Sequence, residues 1–222
     1  MKENHEEKTM SGSLGIDRLS LGEARLFEKN IKKMFHKWFG AVPVYRWAFV
    51  GSLGRYLDSY KKLICLPERE KLLQIPDSVG DIDIVLCFCT ESWKEDALER
   101  LGEAVGYQKN GKPRRSFEWA TCNKEKQSEF AVAQVDLFIT TPDNFGATEL
   151  FYLAPKSLQE GLRCIARYRG LKFSPQGIWR ADVDQIECKP IKTEDREDVF
   201  DLLQVDEIPS WEMSKHSSYV IR

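Results

Sequence analysis

Two aspartates stand at the start of a run of apolar residues, and their spacing could bind a cation. In the stretch SVGDIDIVLCFC, Asp81 and Asp83 come two residues apart at the start of a predicted buried strand. Side chains alternate along a strand, so both carboxylates point to the same face. Two carboxylates side by side repel each other unless a proton or a cation lies between them. The pattern therefore indicates a metal site.

A third carboxylate lies in a second strand pattern, AQVDLFI, where Asp136 is flanked by Val135 and Leu137. Burying an unpaired carboxylate is costly, so we expect this strand to lie beside the first and bring three carboxylates to one face. Such a set suits Mg²⁺, which is bound by carboxylate, water and phosphate oxygens. Two ions about 3.5–4 Å apart would activate a 3′-hydroxyl and stabilise a leaving pyrophosphate. A lone D-x-D pair more often caps a turn, so the third aspartate is essential to this hypothesis.

A glycine turn upstream could hold the phosphates. In FVGSLGR a predicted strand ends at Gly51 and Ser52, and Arg55 follows three residues later. Glycine lets the backbone approach a ligand closely, and a serine hydroxyl and nearby amides can donate to phosphate oxygens. Arginine adds a planar fork of donors. Alone, this pattern is typical of an ordinary strand-to-helix turn; with the three aspartates it predicts a triphosphate site.

Length and composition are those of an ordinary globular protein. The chain has 222 residues, of which 42% are hydrophobic and 31% are charged, enough for one core or two small lobes. No run of eighteen apolar residues occurs, so no membrane partner is expected, and the polar N-terminus lacks a secretory signal. The cysteines have no paired zinc spacing, which predicts reduced thiols in an intracellular compartment, cytoplasm or nucleus. The net charge of −2 leaves nucleic-acid partners open.

The order of predicted elements indicates an α+β fold. Residues 1–15 are aperiodic and predicted to be disordered. A helix should begin at Ser20, with Glu23 completing a capping box, and end at Gly40. Strands are predicted at VYRWAFVGS, DIDIVLCFC and EFAVAQVDLFITT, with a helix at ESWKEDALERLGEAVG.

The remaining signals concern turns and the C-terminal helices. Asn110-Gly111 is a strong hairpin signal, predicted to join strands ending near Gln108 and beginning near Ser116. The helix SLQEGLRCIARYRG is expected to be capped by Ser157 and stopped by Gly170. A last helix, TEDREDVFDLLQV, should begin near Thr193 or Glu194.

The motifs in this order resemble those of a known family. G-S-x-x-R at 51–55, G-D-I-D at 80–83 and V-D-L-F at 135–138 are similar to motifs of the nucleotidyltransferase superfamily, and within it of the family X DNA polymerases. FYLAPKSLQEGLRCIARYRGLKF lies where that family has Y-F-T-G-S and a helix facing the nascent base pair, and DREDVFDLLQVDEIP resembles its closing element. The resemblance covers residues 20 to 212. It implies a nucleotidyltransferase palm, a mixed β-sheet with helices, over 16–150 and a small C-terminal α/β thumb lobe over 151–222.

The resemblance also implies a role for each matching residue. Two Mg²⁺ ions, which Mn²⁺ could replace, would be bound by Asp81, Asp83 and Asp136. The triphosphate would be held by Gly51, Ser52, Arg55 and Gly80. The sugar would lie against Phe151 and Tyr152, the incoming base against Gln159, and the templating base against Arg163.

Several features depart from the family pattern. The segment 56–79 is longer than its counterpart, and Leu153-Ala154-Pro155 replaces T-G-S. We predict a cis Ala154–Pro155 bond, because an X-Pro bond loses little by being cis. The order Phe151-Tyr152 is reversed, which predicts relaxed sugar discrimination. Too few residues precede Ser20 for the family's lyase domain and helix-hairpin-helix motifs, so we expect a reduced palm-plus-thumb form similar to compact viral members.

The sequence analysis therefore predicts a DNA-directed DNA polymerase that fills short gaps in DNA repair, acting as a monomer on gapped or primer–template DNA and a dNTP. The alternatives are template-independent transfer, nucleotidylation of a small molecule or protein, and a non-catalytic nucleic-acid-binding module. Phosphate contacts, which weaken with salt, are expected from two basic clusters. The first is the predicted hairpin, with Lys109, Lys112, Arg114 and Arg115, and the second is Arg163, Arg167, Arg169 and Lys172.

Overall fold

The structure is a computed structural model that describes residues 19–64, 78–108, 110, 112, 115–122, 130–182, 188–209 and 212–213. Outside the described residues lie the predicted disordered tail and most of the segment 56–79. Two basic residues of the predicted hairpin, Lys109 and Arg114, also lie outside them. The strands are β1 (Leu19–Ser20), β2 (Arg46–Phe49), β3 (Ser78–Val79), β4 (Ile82–Cys87), β5 (Ser116–Cys122), β6 (Phe130–Thr140), β7 (Leu171–Ser174) and β8 (Gly177–Arg180). The helices are α1 (Leu21–Phe39), α2 (Gly51–Ile64), α3 (Glu91–Val105), α4 (Phe145–Leu153), α5 (Lys156–Tyr168) and α6 (Arg196–Leu203), with a 3₁₀ turn at Pro142–Asn144.

A mixed sheet of four strands, in the order β2-β4-β6-β5, forms the centre of the molecule. The central strands β4 and β6 are parallel, and the two outer pairs are antiparallel. Two further pairs, β1 with β3 and the β7–β8 hairpin, are antiparallel. This mixture of helices with a mixed sheet agrees with the predicted α+β class. No helix in the described part of the chain is long and apolar enough to cross a membrane.

The two faces of the central sheet are buried against different helices. In β4, Ile82, Ile84 and Leu86 point into a core that contains α1 and α3 side chains. The alternate residues Val85 and Cys87 point into a second core formed with α4, α5 and α6. This alternation follows from the pleat of a strand. The side chain of Asp83 therefore lies on the face that meets the C-terminal helices.

The helix ends test the capping predictions. Ser20 caps α1 with Glu23 as its capping-box partner, and Gly40 follows its end, as predicted. The predicted cap at Ser157 is wrong, because α5 already begins at Lys156, directly after Pro155. Proline has a fixed φ that suits the entry to a helix, so the helix starts beside it. The residue that caps α6 is Asp195, whose N–H donates to the Asp198 carboxylate at 3.0 Å.

Two predicted backbone features are wrong. The Ala154–Pro155 bond is trans, because proline lowers the cost of a cis bond without making cis the favoured isomer. The turn around Asn110 is present, with the Gln108 N–H donating to the Lys112 carbonyl at 2.8 Å. However, helix α3 precedes this turn, and no regular strand ends near Gln108 within the described residues.

The strand after the turn, β5, begins at the predicted residue but pairs with β6 instead. The proposed boundary between residues 150 and 151 falls inside α4, which continues to Leu153. Helix α4 therefore belongs to both parts of the molecule: it packs on the central sheet, and its last turn leads directly into α5.

Candidate functional site

The three predicted carboxylates meet where β4 and β6 run side by side. The register of this parallel pair sets Asp83 opposite Asp136, and Asp81 lies just before β4 begins. The same register sets Ile82 opposite Val135 on the other face. A one-residue slip of either strand would turn its aspartate into the core that contains α1 and α3 side chains, so burial fixes the register and places the aspartates together.

The crowding of the carboxylates changes their acidity. Burial, followed by the charges of Asp136 and Asp81, raises the pKa of Asp83 to about 7, although the positive charge of Arg55 opposes this rise. Burial and the charge of Asp136 also raise the pKa of Asp81. A concentration of negative charge that holds a proton near neutral pH would also attract a cation in its place.

Gly51 allows the backbone to pass directly against Asp83. It has a φ of 60°, and a methyl group at this position would lie 2.1 Å from Oδ2 of Asp83. Only glycine satisfies both the left-handed φ and the close approach. The preceding residue is fixed as well, since the Val50 N–H donates to the Asp83 carbonyl at 2.9 Å. The glycine turn therefore wraps the central carboxylate.

Ser52 joins the glycine turn to the segment before the aspartates. Its Oγ accepts a hydrogen bond from the Gly80 N–H at 3.2 Å. Ser52 belongs to the first turn of α2, which starts at Gly51, so the bond holds Gly80 beside this turn. The N-terminus of a helix offers unpaired N–H groups and a positive dipole end, a combination that favours anions. The structure thus brings Gly51, Ser52 and Gly80 together.

Arg55 lies between the carboxylates and helix α4. Its Nη1 donates to the Leu153 carbonyl at 2.5 Å. Burial lowers the pKa of Arg55, and the nearby charge of Asp83 opposes that change. The guanidinium therefore offsets part of the negative charge and also ties α2 to the last turn of α4, a contact that the sequence analysis did not foresee.

The two aromatic residues in the last turn of α4 make different contacts. Tyr152 stacks on Phe138 with ring centroids 3.4 Å apart and an interplanar angle of 15°. Burial raises the pKa of Tyr152; the Arg115 charge lowers it, and Asp83 and Asp136 raise it. The phenol of Tyr152 is therefore close enough to interact electrostatically with the carboxylates.

Phe151 does not take part in this parallel stack. It makes edge-on contacts with Tyr152 and Phe173, with ring centroids 5.4 Å and 5.5 Å apart. Gln159 Nε2 donates to the Phe151 carbonyl at 2.8 Å, so in this structure Gln159 closes the end of α4. Arg163 is exposed and lines a groove beside Phe151.

The basic turn is only partly described. Lys112 and Arg115 are exposed, while Lys109 and Arg114 lie outside the described residues. The carbonyl of Arg115 accepts a hydrogen bond from the Leu137 N–H at 2.8 Å. This bond places Arg115 beside β6, one residue along from Asp136.

Sequence reasoning missed the role of Phe138. It lies two residues after Asp136 in β6, so strand alternation puts it on the same face. That signal was available, but its stacking partner on α4 depends on how the C-terminal helices pack.

It also missed a group of charges around Glu149, which is 8% exposed. Its carboxylate lies 3.6 Å from Arg196 Nε and 4.0 Å from Arg46 Nη2. This group connects β2, α4 and α6.

The donor chemistry of the carboxylates fits Mg²⁺, although they do not form a complete ligand shell. No three Asp, Glu, His or Cys side chains in the described ranges form a group that could hold an ion by themselves. Mg²⁺ is usually bound by one or two carboxylates together with waters and substrate phosphates. The glycine turn beside Asp83 would place such phosphates within reach.

Comparison with known proteins adds no assignment. No protein-family profile matches the chain, and no curated protein matches it.

Proposed function

We propose that this protein is a Mg²⁺-dependent nucleotidyltransferase, and specifically a DNA polymerase of the family X type that adds dNMP from a dNTP to a primer 3′-hydroxyl. The observation that carries the proposal is the register that sets Asp83 opposite Asp136, directly against the turn at Gly51. An isolated pair of aspartates would not require a glycine with positive φ beside it. Oxygen ligands next to a phosphate-binding turn are the parts that phosphoryl transfer needs.

Asp81, Asp83 and Asp136 would hold two Mg²⁺ ions, which, when bound, would activate the primer hydroxyl and stabilise the charge of the leaving pyrophosphate. Asp136 would lie nearest the primer 3′-hydroxyl. The N-terminal turn of α2, with Gly51 and Ser52, would bind the triphosphate. A serine hydroxyl that accepts a hydrogen bond, as Ser52 does from Gly80, can still donate its own proton to a phosphate oxygen.

Catalysis on this account is mainly positioning and electrostatics. The central sheet would be the palm, and α5, the β7–β8 hairpin and α6 would form the thumb. Tyr152 would border the sugar, with its ring held in place by Phe138. The reversed Phe151-Tyr152 order leads us to expect comparable incorporation rates for rNTPs and dNTPs. A rate ratio above about 100 in favour of dNTPs would contradict this expectation.

The proposal is tested by extending a labelled primer on a one-nucleotide-gapped duplex, with each dNTP supplied alone in the presence of Mg²⁺. Wild type is compared with Asp136→Asn, which keeps the shape of the side chain, and with Asp206→Asn, an exposed carboxylate far along the chain. Circular dichroism verifies that each variant is folded.

Addition of only the templated nucleotide by wild type and Asp206→Asn, and not by Asp136→Asn, would support the polymerase. Addition regardless of template would point to terminal transfer and refute templated synthesis. No addition by any of the three proteins would contradict the proposal and favour nucleotidylation of another substrate or a binding module.

A further inference from the structure

Two neighbouring helices carry rows of opposite charge on their outer faces. Helices α1 and α3 pack against each other, and both contribute to the core on the face of the central sheet opposite Asp83. Their outer faces therefore lie on the other side of the sheet from the proposed catalytic site.

The outer face of α1 is basic. Lys29, Lys33 and Lys37 are exposed and follow each other at intervals of four residues, so they share one face of the helix and stand about 6 Å apart along its axis. These three lysines form the basic row. Lys32 and His36 are exposed on the same side of α1 and add to its positive charge.

The outer face of α3 repeats this spacing with the opposite charge. Glu95, Glu99 and Glu103 are exposed and also lie four residues apart; they form the acidic row. Like charges at this spacing destabilise a helix. Within the described ranges, no ion pair involves any of the six side chains in the two rows. Each row therefore repels itself, and the described part of the chain offers it no partner.

This arrangement fits a second copy of the chain better than it fits a partner of a single charge. A nucleic acid attracted to the basic row would be repelled by the acidic row on the neighbouring helix, and an acidic protein segment would meet the same repulsion. A two-fold axis running between the helices places α1 of one copy on α3 of the other, so the same complementary contact occurs twice. The equal spacing of the two rows lets their charges pair one to one.

Trp93 adds an exposed apolar ring to the same surface. It is 42% exposed and lies seven residues before Arg100 on α3, so the two side chains share one face of that helix. A methyl group on Gly40, at the end of α1, would lie 3.1 Å from Arg100 Nη1, so this face of α3 is turned towards α1. The proposed axis would therefore bring Trp93 close to the centre of the interface, where aromatic residues contribute most to binding.

The available area sets the strength of the contact. Two helices side by side are about 20 Å wide, and the 15 residues of α3 are about 22 Å long. Each copy would therefore bury roughly 450 Å², or roughly 900 Å² in total, which is typical of weak, reversible complexes. We expect a dimer that forms at micromolar concentration and dissociates in salt.

We propose that the outer faces of α1 and α3 form the interface of a symmetric dimer, in which the basic row of each copy pairs with the acidic row of the other. The inference goes beyond the proposed function and does not depend on it. Because Asp83 lies on the opposite face of the sheet from α1 and α3, the carboxylates of both copies would stay open in the dimer.

The test is sedimentation velocity of the full chain from about 2 to about 200 µM, in about 50 mM and about 500 mM NaCl. Two double variants reverse the charges of one row each: Lys29→Glu/Lys33→Glu and Glu95→Lys/Glu99→Lys. Circular dichroism verifies that each variant is folded.

Two controls accompany them. Lys156→Glu/Lys189→Glu changes the net charge by the same amount as the basic-row variant, at two exposed lysines near the C-terminal helices. Trp93→Ala removes the apolar ring and keeps all charges.

Wild type and Lys156→Glu/Lys189→Glu should dimerise alike in low salt, and their affinity should fall at least about tenfold in high salt. Each row variant alone should associate at least about tenfold more weakly than wild type in low salt, since pairs of opposite charge become pairs of like charge. An equimolar mixture of the two row variants should form a heterodimer, because each reversed row then meets a row of opposite sign. Trp93→Ala should weaken the dimer about tenfold and keep its salt dependence.

A wild type that stays monomeric over the whole range would overturn the proposal and support the monomer that the sequence predicts. A dimer that neither row variant weakens would place the interface elsewhere, and a mixture that fails to associate would contradict the pairing of the two rows. A monomeric wild type that binds duplex DNA at least tenfold more tightly than Lys29→Glu/Lys33→Glu would also overturn it, because the basic row would then serve a nucleic acid.

Discussion

Replacing Asp83 by asparagine should stabilise the metal-free protein at alkaline pH, although the residue is a proposed ligand. The pKa of Asp83 is raised from 3.8 to about 7 by burial and by the charges of Asp136 and Asp81. The folded protein therefore holds this proton more tightly than the unfolded chain does. The stability contributed by the protonated form is present below about pH 4 and is lost as pH rises to about 7.

The size of the effect follows from the shift in pKa. Each pKa unit corresponds to 1.36 kcal/mol, so a shift of roughly three units costs the ionised protein up to about 4 kcal/mol above pH 7. At pH 5 less than half of this penalty applies. The asparagine side chain of the variant carries no charge at either pH. The gain in free energy of unfolding from Asp83→Asn should therefore be about 2–3 kcal/mol greater at pH 8 than at pH 5.

The assay is urea denaturation of wild type and Asp83→Asn at both pH values, in EDTA. Asp206→Asn changes the charge by the same amount at an exposed position and should alter the free energy of unfolding by less than about 0.5 kcal/mol at each pH. A gain of equal size at pH 5 and pH 8, or a loss of stability at pH 8, would refute the argument that crowded carboxylates destabilise the fold.

Three further substitutions test the local structure by urea denaturation. Gly51→Ala should lower the free energy of unfolding by more than about 2 kcal/mol, since its methyl group would lie 2.1 Å from a carboxylate oxygen at positive φ. The control Gly106→Ala has a φ of 92° and no atom within 4 Å, so it should lower the free energy of unfolding by less. Equal losses in the two variants would contradict the clash at Gly51. Ser20→Ala removes the N-cap of α1 and should lower the free energy of unfolding by about 1 kcal/mol. An unchanged free energy of unfolding would mean that the cap does not stabilise the protein. Arg46→Ala removes a guanidinium that lies 4.0 Å from the buried Glu149 and 2.7 Å from Asp195, and should lower the free energy of unfolding by about 1–3 kcal/mol; a neutral result would mean that Arg46 is not needed to compensate either carboxylate.

The meeting of the carboxylates could be predicted because strand geometry is local and periodic. Alternation in DIDIVLC and QVDLFI places the aspartates on the face opposite Ile82, Ile84 and Val135, and burial then fixes the register between the strands. The glycine turn could be predicted for the same reason: Gly51 follows an apolar strand pattern, and the fold uses its positive φ.

Contacts across the chain could not be predicted in this way. Arg55 and Gln159 each donate to a carbonyl in the last turn of α4. Arg55 is on α2, far from α4 in the sequence, and Gln159 is on α5, so the local sequence of neither residue specifies its partner. The same holds for the stack of Tyr152 on Phe138. The Ala154–Pro155 bond is a different case, because its isomer depends on surrounding packing that the dipeptide does not encode.

The central claim is that Asp81, Asp83 and Asp136 together bind two divalent cations. The most direct test of this claim is to count the bound ions. Mn²⁺ binding would be measured by electron paramagnetic resonance in the presence of a non-hydrolysable dNTP analogue, for wild type, Asp136→Asn and Asp206→Asn. Two ions per molecule of wild type and of Asp206→Asn, with at most one for Asp136→Asn, is the expected result. The same number of ions in all three proteins, or none in wild type, would contradict the claim.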